Sequence, residues 1–223
     1  MPQPLLVFDL DGTLAETAGD LFAALNHVLA LEGLAELEPA RARFMMGAGG
    51  RALIQRGFAA NGREAPPERL EAMFTAFLAF YNANIAVHSH LYDGVGAALD
   101  RFEKAGWRFA VCTNKMEASA VRLMQALGLA NRFAAICGQD SFPVCKPHPD
   151  ALRGAIARAG GAIEHTIMIG DSETDIRTAQ AAQVPCIAVD FGYTDKHVSA
   201  FGPDRVISHF DALWDAVASL KRA

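Results

Sequence analysis

Residues 6–14 read LVFDLDGTL. An apolar run enters Asp9, Leu10 intervenes, and Asp11, Gly12 and Thr13 follow. A continuous apolar run suits a strand covered on both faces. Residues two apart on a strand face the same side. Asp9 and Asp11 are therefore expected to close a buried strand as two carboxylates aimed into one space, with Gly12 relieving a tight turn. The alternative is a hairpin at Asp11-Gly12. The helical pattern that follows argues against it.

Four more apolar runs of the same kind lie downstream, at Phe109–Thr113, Ala134–Cys137, Thr166–Gly170 and Pro185–Asp190, with a weaker one at Arg205–Ser208. Helical patterns separate them: Val95–Ala105, Glu117–Leu127, Pro149–Ala159 and Thr174–Ala182, with Asp211–Leu220 closing the chain. Strand–helix alternation predicts a doubly wound parallel sheet. The region from Thr17 to His90 breaks the rhythm. Asp20–Leu31 reads as an amphipathic helix, and Met73, Phe74, Phe77, Leu78 and Tyr81 recur at helical spacing. That stripe reads as the core of a helical subdomain rather than a cofactor box. The expected fold is α/β, a Rossmann-like core of residues 1–16 and 91–223 with an α-helical cap domain, residues 17–90, inserted after the first strand.

The 223 residues are 52% hydrophobic, enough for a sizeable core, and the net charge is −5 with no basic block. A nucleic-acid groove is not expected. No apolar stretch is long enough to span a bilayer, and the first residues do not resemble a signal peptide. Cys112, Cys137, Cys145 and Cys186 have no metal-ligand spacing, and three lie in or beside apolar runs, as buried thiols in a reducing compartment would. A cytoplasmic protein is expected, monomer or homodimer.

In open parallel sheets ligands bind beyond the carboxyl ends of the strands. Asp9 and Asp11 follow the first strand; Thr113, Asn114 and Lys115 end or follow the second; Lys146 stands in CKPHPD; Asp171 and Asp175 stand in GDSETD. On one sheet edge these would gather four carboxylates, a hydroxyl and an ammonium. The carboxylates cannot all stay ionised without cations. Lys146 supplies one charge, and the rest calls for a hard, oxygen-seeking ion such as Mg²⁺, which completes its shell with waters and a substrate phosphate. Phosphoryl chemistry follows. Plainer readings exist for each piece: Asn114 with Glu117, or Ser172 with Asp175, as a capping box, and Lys146 as a solvated loop lysine.

Taken together, FDLDGTL, VCTN, Lys146 and GDSETD resemble the four motifs of the haloacid dehalogenase superfamily, on its phosphatase side, over essentially the whole chain. Within it, TNK, KPHPDAL and GDSETDIRTAQAAQVP look most like the phosphoglycolate phosphatase group. The resemblance implies that Asp9 is a nucleophile forming an aspartyl phosphate and that Asp11 is general acid and then base. It implies that Gly12, Thr113, the Asn114 backbone N–H and Lys146 hold the phosphate. It places Mg²⁺ on Asp9, Asp171 and the Asp11 carbonyl, with Asp175 a ligand or an orienter of metal waters, under a closing cap. The substrate is then a small phosphorylated metabolite, phosphoglycolate first, with sugar phosphates, pyrophosphate, a mutase activity or a non-catalytic binding role as alternatives.

Several positions narrow this. Dehalogenases of the superfamily lack the second aspartate of the first motif, which Asp11 supplies here. Phosphonoacetaldehyde hydrolases need a cap lysine, and the first lysine of this chain is Lys104. The β-phosphoglucomutases carry a cap histidine where Leu21 stands; His27 is out of register and is expected on the helix surface. In the loop Met46-Gly47-Ala48-Gly49-Gly50-Arg51, the glycines allow close backbone approach, and Arg51 is a candidate to pair with a substrate carboxylate. His88, His90 and His148 are expected to be structural or peripheral. Glu16-Thr17 stands where relatives commonly carry Asp-Ser, which bears on hinge contacts.

Overall fold

Leu5–Phe8 form strand β1, with all four side chains buried. In the computed structural model, which describes residues 3–38, 45–46, 49–194 and 196–220, β1 lies near the middle of a six-stranded sheet. The other strands are β4 (Arg108–Cys112), β5 (Ala135–Cys137), β6 (Thr166–Gly170), β7 (Cys186–Val189) and β8 (Arg205–Ile207), in the order β5-β4-β1-β6-β7-β8. Every pairing is parallel. Parallel strands need crossovers, and the helices that make them cover both faces. Along β1, Leu6 and Phe8 join one apolar cluster with Phe109, Val111, Ile167 and Ile169. Leu5 and Val7 join the other, with Ala110, Cys112, Met168 and Ala188. Helices α4 (Val95–Lys104), α5 (Glu117–Ala126) and α8 (Leu213–Leu220) pack on the first face, and α6 (Pro149–Arg158) and α7 (Glu173–Ala182) on the second.

Between β1 and α4 the chain leaves the sheet. A two-residue strand β2 (Ala15–Glu16) pairs antiparallel with β3 (His90–Leu91), forming a narrow ribbon where the chain departs and returns. Helices α1 (Ala18–Leu31), α2 (Gly50–Ala60) and α3 (Leu70–Ala83) lie between, as a helical cap. Their core holds Phe22, Leu25, Leu29, Ile54, Phe58, Met73, Phe74, Phe77 and Tyr81. The ribbon is pinned by Asp20. Its buried carboxylate accepts the His88 and Ser89 N–H groups at 2.9 Å each, and the Ser89 hydroxyl at 2.5 Å.

Two local expectations are corrected, and a third is refined. Gly50 and Arg51 open α2 instead of belonging to a loop, while Gly47 and Ala48 lie outside the described residues. His27 lies half-buried on the surface of α1, as expected, with its ring stacked on Phe80 at 4.4 Å. Asn114 does not cap α5, whose N-cap is Met116. Cys112, Cys137 and Cys186 are buried free thiols and Cys145 is exposed. Among the described residues no helix is long and apolar enough to cross a membrane.

Candidate active site

β1 ends at Phe8, so Asp9 and Asp11 lie in the turn beyond it rather than on the pleat. Asp9 continues the ladder by one bond, its N–H donating to Ile169 C=O at 2.9 Å. Leu10 then drops into the core, and its carbonyl accepts the Leu14 and Ala15 N–H groups at 3.0 and 3.1 Å. This compact turn brings both carboxylates to the wall of one cavity. Gly12 takes φ +82° there, and a Cβ on it would stand 2.4 Å from Asp171 Oδ2. Only glycine lets the turn pass so close to that carboxylate.

The carboxyl ends of β4 and β6, with the loop between β5 and α6 that carries Lys146, supply the opposite charges and the remaining acids. Thr113, directly after β4, is buried, and its Oγ1 accepts the Lys115 N–H at 3.2 Å. The Asn114 side chain clamps the Lys146 backbone, donating to its carbonyl at 3.0 Å and accepting its N–H at 3.1 Å. Lys146 is thereby aimed inward: Nζ lies 2.5 Å from Asp175 Oδ1 and 3.0 Å from Asp9 Oδ1. Burial alone would lower the Lys146 pKa, but Asp175 and Asp9 more than offset it, and the value stands raised. Lys146 is therefore a permanently charged, buried ammonium and not a solvated loop lysine.

Asp175 caps α7 in a full capping box with Ser172. Its Oδ2 accepts Asp171 N–H, Ser172 N–H and Ser172 hydroxyl, at 3.2, 3.2 and 2.6 Å. Both of its oxygens are thus occupied by the chain itself. Asp171 Oδ1 accepts the Thr13 hydroxyl at 3.0 Å, and Oδ2 accepts the Tyr193 N–H at 2.6 Å. Oxygens of Asp9, Asp171 and Asp175 lie within 4.8 Å of one another. Burial, helped by Asp175 and Asp11 and opposed by Lys146, pushes the Asp9 carboxyl up to about 6. Burial, with Asp175 and Asp9, pushes Asp171 well above the usual range.

The donor set fits a hard cation. It is all carboxylate oxygen, as such ions require. Asp9 Oδ1 is buried and lacks a hydrogen-bond partner, since Lys146 approaches off the hydrogen-bonding direction. Counted with Asp11, the four acids outweigh Lys146 and Lys115 by two negative charges, the charge of one divalent ion.

Sequence reasoning assigned no part in the chemistry to Lys115, Tyr81 or Tyr193. Lys115 Nζ donates to Asp11 Oδ1 and Oδ2 at 2.8 and 2.9 Å and sits 4.6 Å from the centroid of the Tyr81 ring. Tyr193 lies just past β7; its hydroxyl accepts Thr17 and Ala18 N–H groups at 2.7 and 2.9 Å and donates to Glu16. It joins Asp171, one of the clustered acids, to the start of the cap. Thr17 donates to Asp11 Oδ1 at 2.7 Å, adding a second link. The signal that could have found Tyr193 was the strand-end rule, applied to β7 as well. The aromatic stripe has a double part: Phe74, Phe77, Leu78 and Tyr81 pack the cap and also roof the cavity.

Arg51 is corrected. It does not line the cavity. Its guanidinium forks onto Glu71 with two bonds of 2.7 Å and stacks over Phe74 at 3.9 Å. A partner in the first turn of α3 satisfies it at the exposed surface. His88 and His90 stay at the ribbon, and His148 caps α6 by accepting the Asp150 N–H.

Fold and site together define a parallel α/β core under a helical cap, with a cluster of acids that could hold a cation. The chain belongs to the haloacid dehalogenase-like hydrolase family, whose model matches residues 6–189. It is 50% identical over 213 residues to the phosphoglycolate phosphatase of Mesorhizobium japonicum, covering 96% of this chain and 94% of that one. It is 42% identical over 214 residues to that of Agrobacterium fabrum, covering 96% and 92%. Among solved structures, a predicted phosphoglycolate phosphatase from Haemophilus somnus superimposes with a TM-score of 0.88 at 25% identity, covering 96% of this chain and 98% of that one.

Proposed function

We propose that this chain is a Mg²⁺-dependent phosphoglycolate phosphatase acting through a phosphoryl-Asp9 intermediate. The observation that carries the mechanism is Asp9: its Oδ1 is buried, has no hydrogen-bond partner and is ion-paired with the Lys146 ammonium, on the wall of a cavity that Asp11 shares. Identity to phosphoglycolate phosphatases over nearly the whole chain supports the substrate.

An Asp9 oxygen attacks phosphorus, and the bond from phosphorus to the ester oxygen breaks. Asp11 gives the leaving glycolate oxygen its proton, then takes one from the water that attacks the phosphoryl-aspartate. The second attack frees phosphate and restores Asp9. Thr113 has its hydroxyl hydrogen available for a phosphate oxygen, because its Oγ1 accepts from Lys115 N–H. Gly12 and the Asn114 backbone complete the phosphate cradle. Lys146 offsets charge on Asp9 and on the transferring group. Asp9, Asp171 and the Asp11 carbonyl would hold Mg²⁺, which supplies charge neutralisation at the phosphoryl oxygens when bound. Asp175 acts as an orienter, holding Lys146 and the Asp171 loop.

Residues 17–90 act as a cap domain hinged on the β2–β3 ribbon, and they exclude bulk water from the phosphoryl-aspartate. The substrate is a small phosphorylated metabolite, and three buried free thiols fit work in a reducing cytoplasm. Acid-quenching the enzyme during turnover of 2-phosphoglycolate tests the mechanism. A phosphoryl group on the peptide carrying Asp9, absent in Asp9→Asn, is expected. Full turnover by Asp9→Asn would overturn it.

A further inference from the structure

The cavity poses a problem for a small dianionic ester. Its roof is apolar, built from Leu21, Leu53, Phe74, Phe77 and Leu78. Arg51 faces elsewhere. Among the described residues that line it, Lys115 is the one lysine or arginine.

We infer that Lys115, seconded by the Tyr81 hydroxyl, is the subsite that recognises the carboxylate of the substrate. The inference rests on phosphoglycolate as the substrate. Three observations carry it. An ammonium has three donors; two of those on Lys115 meet Asp11, and the third faces the Tyr81 side chain, where no carboxylate stands. The Tyr81 hydroxyl is buried, belongs to a residue of the cavity wall, and has the Lys115 ammonium beside it but no hydrogen bond of normal length and angle. A buried hydroxyl left unpaired costs stability, and a ligand oxygen would supply the missing bond. Finally, Asp11 serves the ester oxygen, and in phosphoglycolate the carboxylate carbon is two bonds beyond that oxygen. An ammonium hydrogen-bonded to Asp11 therefore stands where the carboxylate arrives.

The arrangement also divides the recognition between the two parts of the molecule. Lys115 belongs to the core, at the end of β4, and Tyr81 to the cap, in the last turn of α3. A carboxylate held by both ties the cap to the core. A phosphate ester without that anion leaves Tyr81 unsatisfied, so the subsite selects for the second charge.

The test compares 2-phosphoglycolate with the phosphate ester of glycolamide, which is close in shape but lacks the carboxylate charge. The wild type is expected to prefer the glycolate ester by roughly 10- to 100-fold in kcat/KM, the value of a charge-assisted bond. Lys115→Met should bring the preference to within about threefold of unity, mainly through KM. Tyr81→Phe should reduce it by a few-fold and leaves the ring packing intact. Lys115→Gln serves if Lys115→Met does not fold. A merely structural role, or one limited to placing Asp11, would slow both esters together and leave the ratio unchanged; that result overturns the inference while leaving the phosphatase reading standing. Hydrolysis of the glycolamide ester but not of 2-phosphoglycolate by the wild type would overturn both.

Discussion

Replacing Asp175 by Asn should destabilise the protein by about 3 kcal/mol at neutral pH. The Asp175 side chain is fully buried, and its partner Lys146 is 2% exposed at Nζ 2.5 Å away. Asn keeps one acceptor oxygen. If that oxygen stays with Asp171 N–H, Ser172 N–H and the Ser172 hydroxyl, the amide NH₂ confronts the Lys146 ammonium, donor against donor. If the amide flips, Lys146 is satisfied and the start of α7 loses its acceptor. Removing one partner of a buried ion pair costs about 3–5 kcal/mol. Some of that is returned, because Asp9 and Asp171 both lose a repelling neighbour and Lys146 keeps Asp9 at 3.0 Å. Urea unfolding followed by circular dichroism reads the difference, with chelator and with saturating Mg²⁺. Since both Asp175 oxygens are already engaged by the chain, Mg²⁺ should still stabilise Asp175→Asn while failing to stabilise Asp171→Asn. A loss under about 1 kcal/mol, or abolished Mg²⁺ stabilisation in Asp175→Asn, would refute the orienting role.

Three other expectations follow from the same contacts. Asp9 is held at about 6 in the folded state against 3.8 unperturbed, so in chelator the stability it contributes is present below pH 3.8 and is lost as pH rises through about 6. Relative to Asp9→Asn, metal-free wild type should lose on the order of 2–3 kcal/mol across that window, and parallel unfolding-versus-pH curves would refute the shift. Tyr193→Phe leaves the Thr17 N–H without its acceptor and should cost about 1–3 kcal/mol, with a raised KM from the loosened cap start; an unchanged thermal midpoint would contradict it. Arg51→Ala should leave the glycolate-to-glycolamide preference unchanged within about twofold, because its fork is spent on Glu71 outside the cavity; a collapse of that ratio would return Arg51 to the site.

The parallel core was readable because buried strands leave continuous apolar runs, and β1, β4, β6 and β7 each had one. Asp9 and Asp171 were readable because they directly follow apolar strand runs, and Lys146 through the motif it resembles; Asp9, Lys146 and Asp171 come together in space. The β2–β3 ribbon was not, since two residues a strand carry no period. Lys115 escaped because a lysine beside a strand end looks like any solvated lysine. Its ion pair with Asp11 and its seat by Tyr81 arise only when the turns after β1 and β4 meet the end of α3. Arg51 misled for the converse reason: a cation near glycines suggests a ligand, and Glu71 lies twenty positions away in sequence but within hydrogen-bonding reach in space. Long-range partners of charged side chains are tertiary facts, and local pattern does not encode them.

The most direct test of the central claim is phosphate release from 2-phosphoglycolate set beside sugar phosphates, a nucleotide, pyrophosphate and an aryl phosphate, each with Mg²⁺ and with chelator. The account predicts Mg²⁺-dependent release with 2-phosphoglycolate preferred by kcat/KM over the rest. Release that survives chelation, or a preference for an ester lacking a carboxylate, would contradict it.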